Sequence, residues 1–188
     1  MIIEYGNIWS AYDEADLFLF PGNGVVKRDN RLVMGAGMAK QVREQFRQFD
    51  IDLMLGSAIK NSAIRKGNFW VYGLLVSDNY PEAKLGIFQS KVDFRNKSSI
   101  EMIRYSTERL EEFLYQHRGA QVHMAWPGVG YGGLDHYDVL PTLSVLPNSV
   151  HIWTRTHWSK RSRFHVTDDA IADLEELFDG DPDNFYYS

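Results

Sequence analysis

Two glycine-rich stretches contain the residues whose types and spacing could do chemistry. The first, MGAGMAKQ (34–41), runs directly into an apolar pattern typical of a helix. The second, WPGVGYGGLDHYDV (126–139), follows a strand-like run and also leads into a predicted helix. Glycines just before a helix let an anion reach unpaired backbone N–H groups at the positive end of the helix dipole. Two such loops at strand ends therefore suit a ligand with two phosphates.

Short Gly-x-Gly patterns are weak evidence alone, and a tight turn without a ligand is the alternative for the first stretch. Neither stretch ends in the Gly-Lys-Ser/Thr of a P-loop. The first stretch also lacks the Gly-x-Gly-x-x-Gly spacing of a dinucleotide-binding βα turn. The missing P-loop ending disfavours a kinase, and the first stretch disfavours a dehydrogenase.

The apolar pattern predicts the strands that position these stretches. Strands are expected at 1–5, 16–20, 69–76, 86–90, 121–126 and 149–154. The run at 16–20 is continuously apolar after its first residue, which suits a strand buried on both faces. A loop follows it, with turn residues at Asp29 and Asn30. Helical segments are expected between most of the strands, and this alternation predicts a layered α/β domain.

Three helices are expected on the same grounds. The apolar face of the first is expected to comprise Met38, Val42, Phe46 and Phe49. The second begins near Lys97, with Ser98 or Ser99 as its cap. The third covers 136–146, where Pro141 is tolerable only in the first turn or at a kink.

The composition excludes several classes of function. The 188 residues contain no cysteine, so disulfides and thiolate chemistry are absent, in keeping with a reducing, cytoplasmic location. No run approaches the roughly 18 apolar residues of a membrane span, and the N-terminus lacks the pattern of a signal peptide. The net charge of −5 argues against a generally basic nucleic-acid binder but leaves room for a local basic groove.

Six short motifs, taken in their order along the chain, resemble those of the macro domains, a family that binds ADP-ribose. The motifs are GNI (6–8), FPGN (20–23), VMGAGMAKQ (33–41), GNFWVY (67–72), FQSKVDFRNKSS (88–99) and PGVGYGGLD (127–135). The pattern is most similar to the branch of the DarG-type antitoxins, which remove ADP-ribose from DNA, and of the human terminal ADP-ribose protein glycohydrolase. The resemblance implies a three-layer α/β/α fold with a mixed central sheet over residues 1–154.

The resemblance also implies where ADP-ribose would bind. The two glycine loops would surround its diphosphate and distal ribose, and Asn7 and Ile8 would lie near the adenine. The first wall would consist of Met34, Gly35, Ala36, Gly37, Met38 and Ala39. The second wall would consist of Gly128, Val129, Gly130, Tyr131, Gly132, Gly133 and Leu134.

Two residues are implied to take part in catalysis. Lys91, in FQSKVDFR, would lie beside the anomeric carbon of the distal ribose. A partly desolvated amine at that position can attack a ring-opened sugar or move a proton. The alternative interpretation is that Lys91 is a solvated lysine at the end of a strand. Asn23, in FPGNG, would hold a ribose hydroxyl through its amide, with ordinary turn chemistry as the alternative.

The chain also departs from the family pattern. Phe20 stands where DarG-type domains usually have an asparagine, which questions some substrate contacts. Gly132 stands where the human enzyme has a catalytic aspartate, and Asp135 is interpreted as a cap of the next helix. His136 is near enough in sequence to reach the site. The histidines show no metal-binding spacing, so no metal is expected. No cofactor is expected either.

Residues 155–188 are expected to form a C-terminal appendage packed on the domain. The segment RTHWSKRSRFH (155–165) mixes basic and aromatic residues, which suits either a nucleic-acid contact or a charged surface segment. A helix capped by Thr167 is expected to follow. Its apolar stripe would comprise Ile171, Leu174, Leu177 and Phe178.

The resulting hypothesis is an ADP-ribosyl glycohydrolase. ADP-ribosylated DNA is favoured over protein as its substrate, a toxin is a candidate partner, and no membrane partner is expected. A non-catalytic module that binds ADP-ribose or a related NAD metabolite is one alternative. A phosphatase acting on ADP-ribose-1″-phosphate is another.

Overall fold

The structure is a computed structural model that describes residues 1–78 and 83–155. Its strands are β1 (Ile2–Tyr5), β2 (Leu17–Asn23), β3 (Ile64–Lys66), β4 (Phe69–Val71), β5 (Leu74–Val76), β6 (Leu85–Lys91), β7 (Val122–Ala125) and β8 (Val150–Thr154). Its α-helices are α1 (Gly37–Gln45), α2 (Ile51–Ser62), α3 (Ile100–Gln116) and α4 (His136–Leu143). Short 3₁₀ helices cover Ile8–Ala11, Arg47–Phe49 and Gly130–Gly132.

Six strands form one mixed sheet in the order β1-β8-β7-β2-β6-β5. Neighbouring strands are parallel except at the edge, where β5 pairs with β6 in the antiparallel sense. Strands β3 and β4 form a separate antiparallel pair. One apolar core lies between the sheet and helices α3 and α4, and a second lies between the sheet and helices α1 and α2. The predicted three-layer α/β/α fold is therefore confirmed.

Strand β2 shows why the central strand is continuously apolar. Leu17 and Leu19 belong to the first core, whereas Phe18 and Phe20 belong to the second, as the period of two in a strand requires. All four side chains are fully buried. Phe20 therefore fills the core beneath α1 and α2, and its bulk does not enter the candidate site.

The run at 69–76 was wrongly predicted to be one strand. It forms β4 and β5, which belong to different sheets. Gly73, between them, has a φ of +69°, and a Cβ there would lie 2.8 Å from Cγ of Arg109. Only glycine suits that conformation at so crowded a position, so the chain changes direction there.

The first predicted helix is shorter than expected. Helix α1 ends at Gln45, so Phe49 is not on its apolar face and is 59% exposed. Helix α2 was not predicted, and it begins after Asp50, whose φ of +49° is left-handed. Aspartate tolerates this conformation better than most residues, and the sequence pattern alone did not reveal the turn.

The caps of α3 and α4 agree with the sequence. The Ser99 hydroxyl accepts a hydrogen bond from the Met102 N–H at 3.2 Å. The Asp135 carboxylate accepts one from the Tyr137 N–H at 3.0 Å, within a capping box. Pro141 lies in the second turn of α4 rather than the first.

The described residues contain no helix long and apolar enough to cross a membrane. The predicted basic segment at 155–165 lies outside them apart from Arg155, and the predicted helix from Thr167 lies entirely outside them. The division of the chain at residue 154 therefore stays a prediction.

A buried amide joins three parts of the fold. Gln89, in β6, is fully buried. Its Oε1 accepts hydrogen bonds from the N–H groups of Tyr72 at 2.9 Å and Gly73 at 3.1 Å. Its Nε2 donates to the carbonyls of Trp70 at 2.9 Å and Lys91 at 3.3 Å. The side chain thereby ties the β4–β5 connection to the end of β6.

We predict that Gln89→Leu destabilises the protein by about 2–4 kcal/mol, because buried backbone groups would lose their partners. Urea denaturation measures the free energy of unfolding. The matched control is Gln116→Leu, at an exposed position at the end of α3. It should change the stability by less than about 0.5 kcal/mol. Equal effects of the two substitutions would contradict the structural role of Gln89.

Candidate functional site

A cavity of about 430 Å³ opens at the carboxyl ends of three adjacent parallel strands. Asn23, Lys91 and Ala125 are the last residues of β2, β6 and β7, and each lines it. This volume is within the range of small-molecule sites, about 300–1,000 Å³. The carboxyl edge of an α/β sheet is also where ligands of such folds bind.

The first glycine loop supplies the cavity with the start of α1. Ala36 is the N-cap residue and has no side chain that could cap the helix, and the first turn contains no acidic residue. The first N–H groups of a helix have no intrahelical partner. Gly37, with a φ of +57°, turns the chain into the helix beside the cavity. This wall can therefore attract an anion.

The space beside Gly35 is not filled by other residues. It lines the cavity, its φ is not left-handed, and a Cβ built on it would meet no atom within 4 Å. By contrast, Gly130 has a φ of +66°, so a side chain would strain its backbone. Gly35 is thus the position where a side chain could narrow the cavity without straining the loop.

The second glycine loop supplies the opposite wall. Val129, Tyr131 and Gly132 line the cavity, and the Gly132 carbonyl accepts a hydrogen bond from the Ser98 N–H at 2.7 Å. The Tyr131 ring reaches across toward Gly37, where a Cβ would lie 3.4 Å from its Cδ2 atom. The two glycine loops therefore meet at the edge of the cavity.

Asn23 lines the cavity and also organises the loop beside it. Its Nδ2 donates to the Val33 carbonyl at 2.8 Å, and its Oδ1 accepts from the Val25 N–H at 2.9 Å. The side chain is buried. These bonds correspond to the turn chemistry that the sequence left open. They hold the loop that leads into the first glycine stretch, and a contact between Asn23 and a ribose stays a prediction.

Lys91 joins the turn after β6 to the second glycine loop. Its Nζ donates to the carbonyls of Asn96 and Tyr131, each at 3.0 Å. Burial lowers the pKa of the Lys91 ammonium. A neutral amine retains two N–H bonds, enough for both carbonyls, and then has a lone pair for other chemistry. The position is thus not that of a freely solvated lysine.

Several predicted ligand-binding residues do not line the cavity. Met34 and Ile8 are buried in the second core. Asn7 caps the first 3₁₀ helix, where its Oδ1 accepts from the Trp9 N–H at 3.3 Å. The remaining residues outside the lining belong to the second loop, namely Gly128, Gly130, Gly133 and Leu134. The adenine contact of Asn7 and Ile8 therefore stays a prediction.

Other lining residues were not singled out from the sequence. They are Pro21, Gly22, Val33, Ser90, Phe94, Ala125 and Trp126. Gly22, Val33 and Ser90 are direct neighbours of predicted residues. The residues Pro21, Ala125 and Trp126 lie at or next to the end of a predicted strand, so strand ends were a usable signal. Phe94 had no such signal, because its position depends on the turn after β6. The predicted residues that do line the cavity are Asn23, Gly35, Ala36, Gly37, Met38, Ala39, Lys91, Val129, Tyr131 and Gly132.

His136 does not line the cavity. It is buried, its Nε2 lies 3.2 Å from Oγ1 of Thr154, and its ring is edge-on to Trp126 with the centroids 4.6 Å apart. Burial lowers the pKa of its imidazole. Within residues 1–78 and 83–155, no group of three His, Asp or Glu residues could hold a metal ion.

No protein-family model and no curated protein sequence matches the chain. Among solved structures, the macrodomain of Mycobacterium tuberculosis DarG aligns with a TM-score of 0.60 and 21% identity, over 82% of this chain and 99% of that one. The macrodomain of Thermus aquaticus DarG aligns with a TM-score of 0.55 and 19% identity, over 82% and 97%.

A third structure is Thermosipho africanus DarTG in complex with ADP-ribose. It aligns with a TM-score of 0.59 and 19% identity, over 93% of this chain but only 44% of that one. The chain thus spans less than half of that protein. At these identities the likeness is one of fold. Together with the mixed sheet between two helical layers, it shows that this chain has the macro domain fold.

Proposed function

We propose that this chain binds ADP-ribose in the cavity and hydrolyses an ADP-ribosyl linkage, with modified DNA favoured over modified protein as the substrate. The observation that carries the proposal is the position of Lys91. Its partly buried amine lines the cavity, bonds to the turn after β6 and to the second glycine loop, and has a lowered pKa. DNA is favoured because the DarG-type resemblance points to it.

The cavity has the features that a diphosphate requires. One wall is the uncapped start of α1, which presents backbone N–H groups and the positive end of its dipole. The opposite wall is the second glycine loop. The Thermosipho africanus DarTG structure, whose fold is similar, contains ADP-ribose. The diphosphate is accordingly assigned to residues 35–39.

The distal ribose is assigned to the side of the cavity where Asn23 and Lys91 meet. In the β2–β6 pair these two residues are register partners, so they approach a bound sugar from adjacent strands. A neutral Lys91 amine can attack the anomeric carbon of the ring-opened sugar, or take a proton from the attacking water. If the amine attacks, its new bond to the anomeric carbon displaces the acceptor, and water then hydrolyses that bond and regenerates Lys91. If the amine takes a proton, water displaces the acceptor directly. In both cases water supplies an oxygen to ADP-ribose, and the acceptor leaves with a proton.

A non-catalytic ADP-ribose-binding module is the second candidate. It is favoured by the hydrogen bonds that Lys91 and Asn23 already make to the backbone, because these would suffice to explain both residues as supports for the loops. A toxin partner and a cytoplasmic location, both expected from the sequence, stay predictions.

The binding assignment predicts that Gly35→Val weakens the affinity for ADP-ribose by about tenfold or more, because the new side chain would occupy the diphosphate position. Calorimetry measures the affinity. The thermal unfolding temperature is the control, and it should be nearly unchanged because the Cβ position is open. Unchanged affinity in a stable variant would exclude the assigned position of the diphosphate.

The catalytic assignment predicts that Lys91→Ala lowers single-turnover release of ADP-ribose from modified DNA by about 100-fold or more, while binding persists. Lys91→Arg retains donors for the two carbonyls, but it stays protonated and should not restore the rate. The matched control is Lys66→Ala, at an exposed position in β3, which should cleave at the normal rate.

Product analysis in the same experiment separates the alternatives. Modified DNA, modified protein and ADP-ribose-1″-phosphate are incubated side by side with the unmutated chain. Full activity of Lys91→Ala would remove this lysine from the mechanism. Release of phosphate alone would indicate a phosphatase, and binding without any release would indicate a binding module.

A further inference from the structure

An exposed aromatic ring stands at the cavity on the side of Lys91. Phe94 lines the cavity, yet it is 46% exposed. Phe94 is not among the described side chains that form the two cores or pack against them. An aromatic side chain that is exposed beside a site is available to a ligand rather than needed for packing.

The turn that holds Phe94 is well ordered by its own hydrogen bonds. The buried Asp93 carboxylate accepts from the backbone N–H and from Nε of Arg95, each at 3.0 Å. The Asn96 N–H donates to the Asp93 carbonyl at 3.1 Å, and the Asn96 carbonyl accepts from Lys91 Nζ. The ring is therefore presented from a fixed turn, which lowers the entropic cost of stacking on it.

A second exposed ring belongs to Tyr131, which is 80% exposed and also lines the cavity. Its carbonyl accepts a hydrogen bond from Lys91 Nζ. Each of the two segments that the amine joins, the turn after β6 and the second glycine loop, therefore carries an exposed aromatic residue. The group attached to the distal ribose must leave the cavity near Lys91 if the assignment above is right. It would then meet aromatic surface first.

Positive charge accompanies this aromatic surface. The Arg95 guanidinium lies 5.7 Å from the centroid of the Phe94 ring, and it is largely exposed. The exposed Lys97 lies with its aliphatic carbons against Gly133 of the second loop. Asp93 offsets part of the Arg95 charge, whereas Lys97 has no ion pair among the described residues. Aromatic faces with nearby cations are the features that bind single-stranded nucleic acid.

We propose that Phe94 stacks on a base of a single-stranded nucleic acid as the acceptor strand leaves the cavity, while Lys97 and Arg95 contact its phosphates. This proposal rests on the proposed function and names the residues that recognise the acceptor. It places the nucleic-acid contact elsewhere than the segment 155–165, for which the sequence left open a nucleic-acid contact or a charged surface segment. A duplex would keep its bases stacked on each other and out of reach of the ring.

The test compares three ligands in the full chain carrying Lys91→Arg, which retains donors for the Asn96 and Tyr131 carbonyls but is expected not to cleave. They are free ADP-ribose, a short single-stranded DNA with one ADP-ribosylated base, and an ADP-ribosylated peptide. Displacement of a fluorescent ADP-ribose derivative measures each affinity. Phe94→Ala should lower the affinity for the modified DNA by about tenfold more than that for free ADP-ribose. Phe94→Trp should retain the affinity, since indole also stacks.

The matched control is Phe49→Ala, because Phe49 is also exposed but lies outside the cavity lining, in the 3₁₀ helix after α1. It should leave all three affinities unchanged. If Phe94→Ala lowered the affinities for free ADP-ribose and modified DNA equally, this inference would be wrong but the proposed function would stand. Equal affinities for the modified peptide and the modified DNA would have the same consequence. Failure of the unmutated chain to bind free ADP-ribose would instead overturn the proposed function itself.

Discussion

The candidate site depends on how closely the end of β2 lies against β6. A Cβ on Gly22 would lie 2.3 Å from Cγ2 of Ile87, so only glycine permits this approach. The register between the strands shifts after Gly22, so Asn23 pairs with Lys91 instead of Ser90. The Gly24 N–H then donates to the Val92 carbonyl at 2.8 Å. Without this close pairing, the amide and the amine would not line the same cavity.

The layers and the position of the site could be predicted because they depend on local patterns. The alternating cores on either side of Leu17 and Phe18 follow directly from the apolar run in β2. The first glycine loop was recognisable because a helix start without a cap leaves N–H groups for a ligand. Lys91 was recognisable through the resemblance, whereas its two carbonyl partners could not be inferred from sequence.

The errors arose where tertiary contacts override local pattern. Gly73 divides one apolar run into two strands because Arg109 packs against it and Gln89 satisfies its N–H. Phe94 could not be recognised as a cavity residue because its position depends on the Asp93–Arg95 turn.

The central claim is that a neutral Lys91 amine acts at the distal ribose, and the pH dependence of single-turnover release of ADP-ribose from modified single-stranded DNA tests it most directly. The account predicts that the rate rises with pH and reaches a plateau above the pKa of Lys91. Because burial lowers this pKa, the midpoint should fall below the ordinary lysine value of about 10.4. A rate that is constant or falls over this range would contradict the claim.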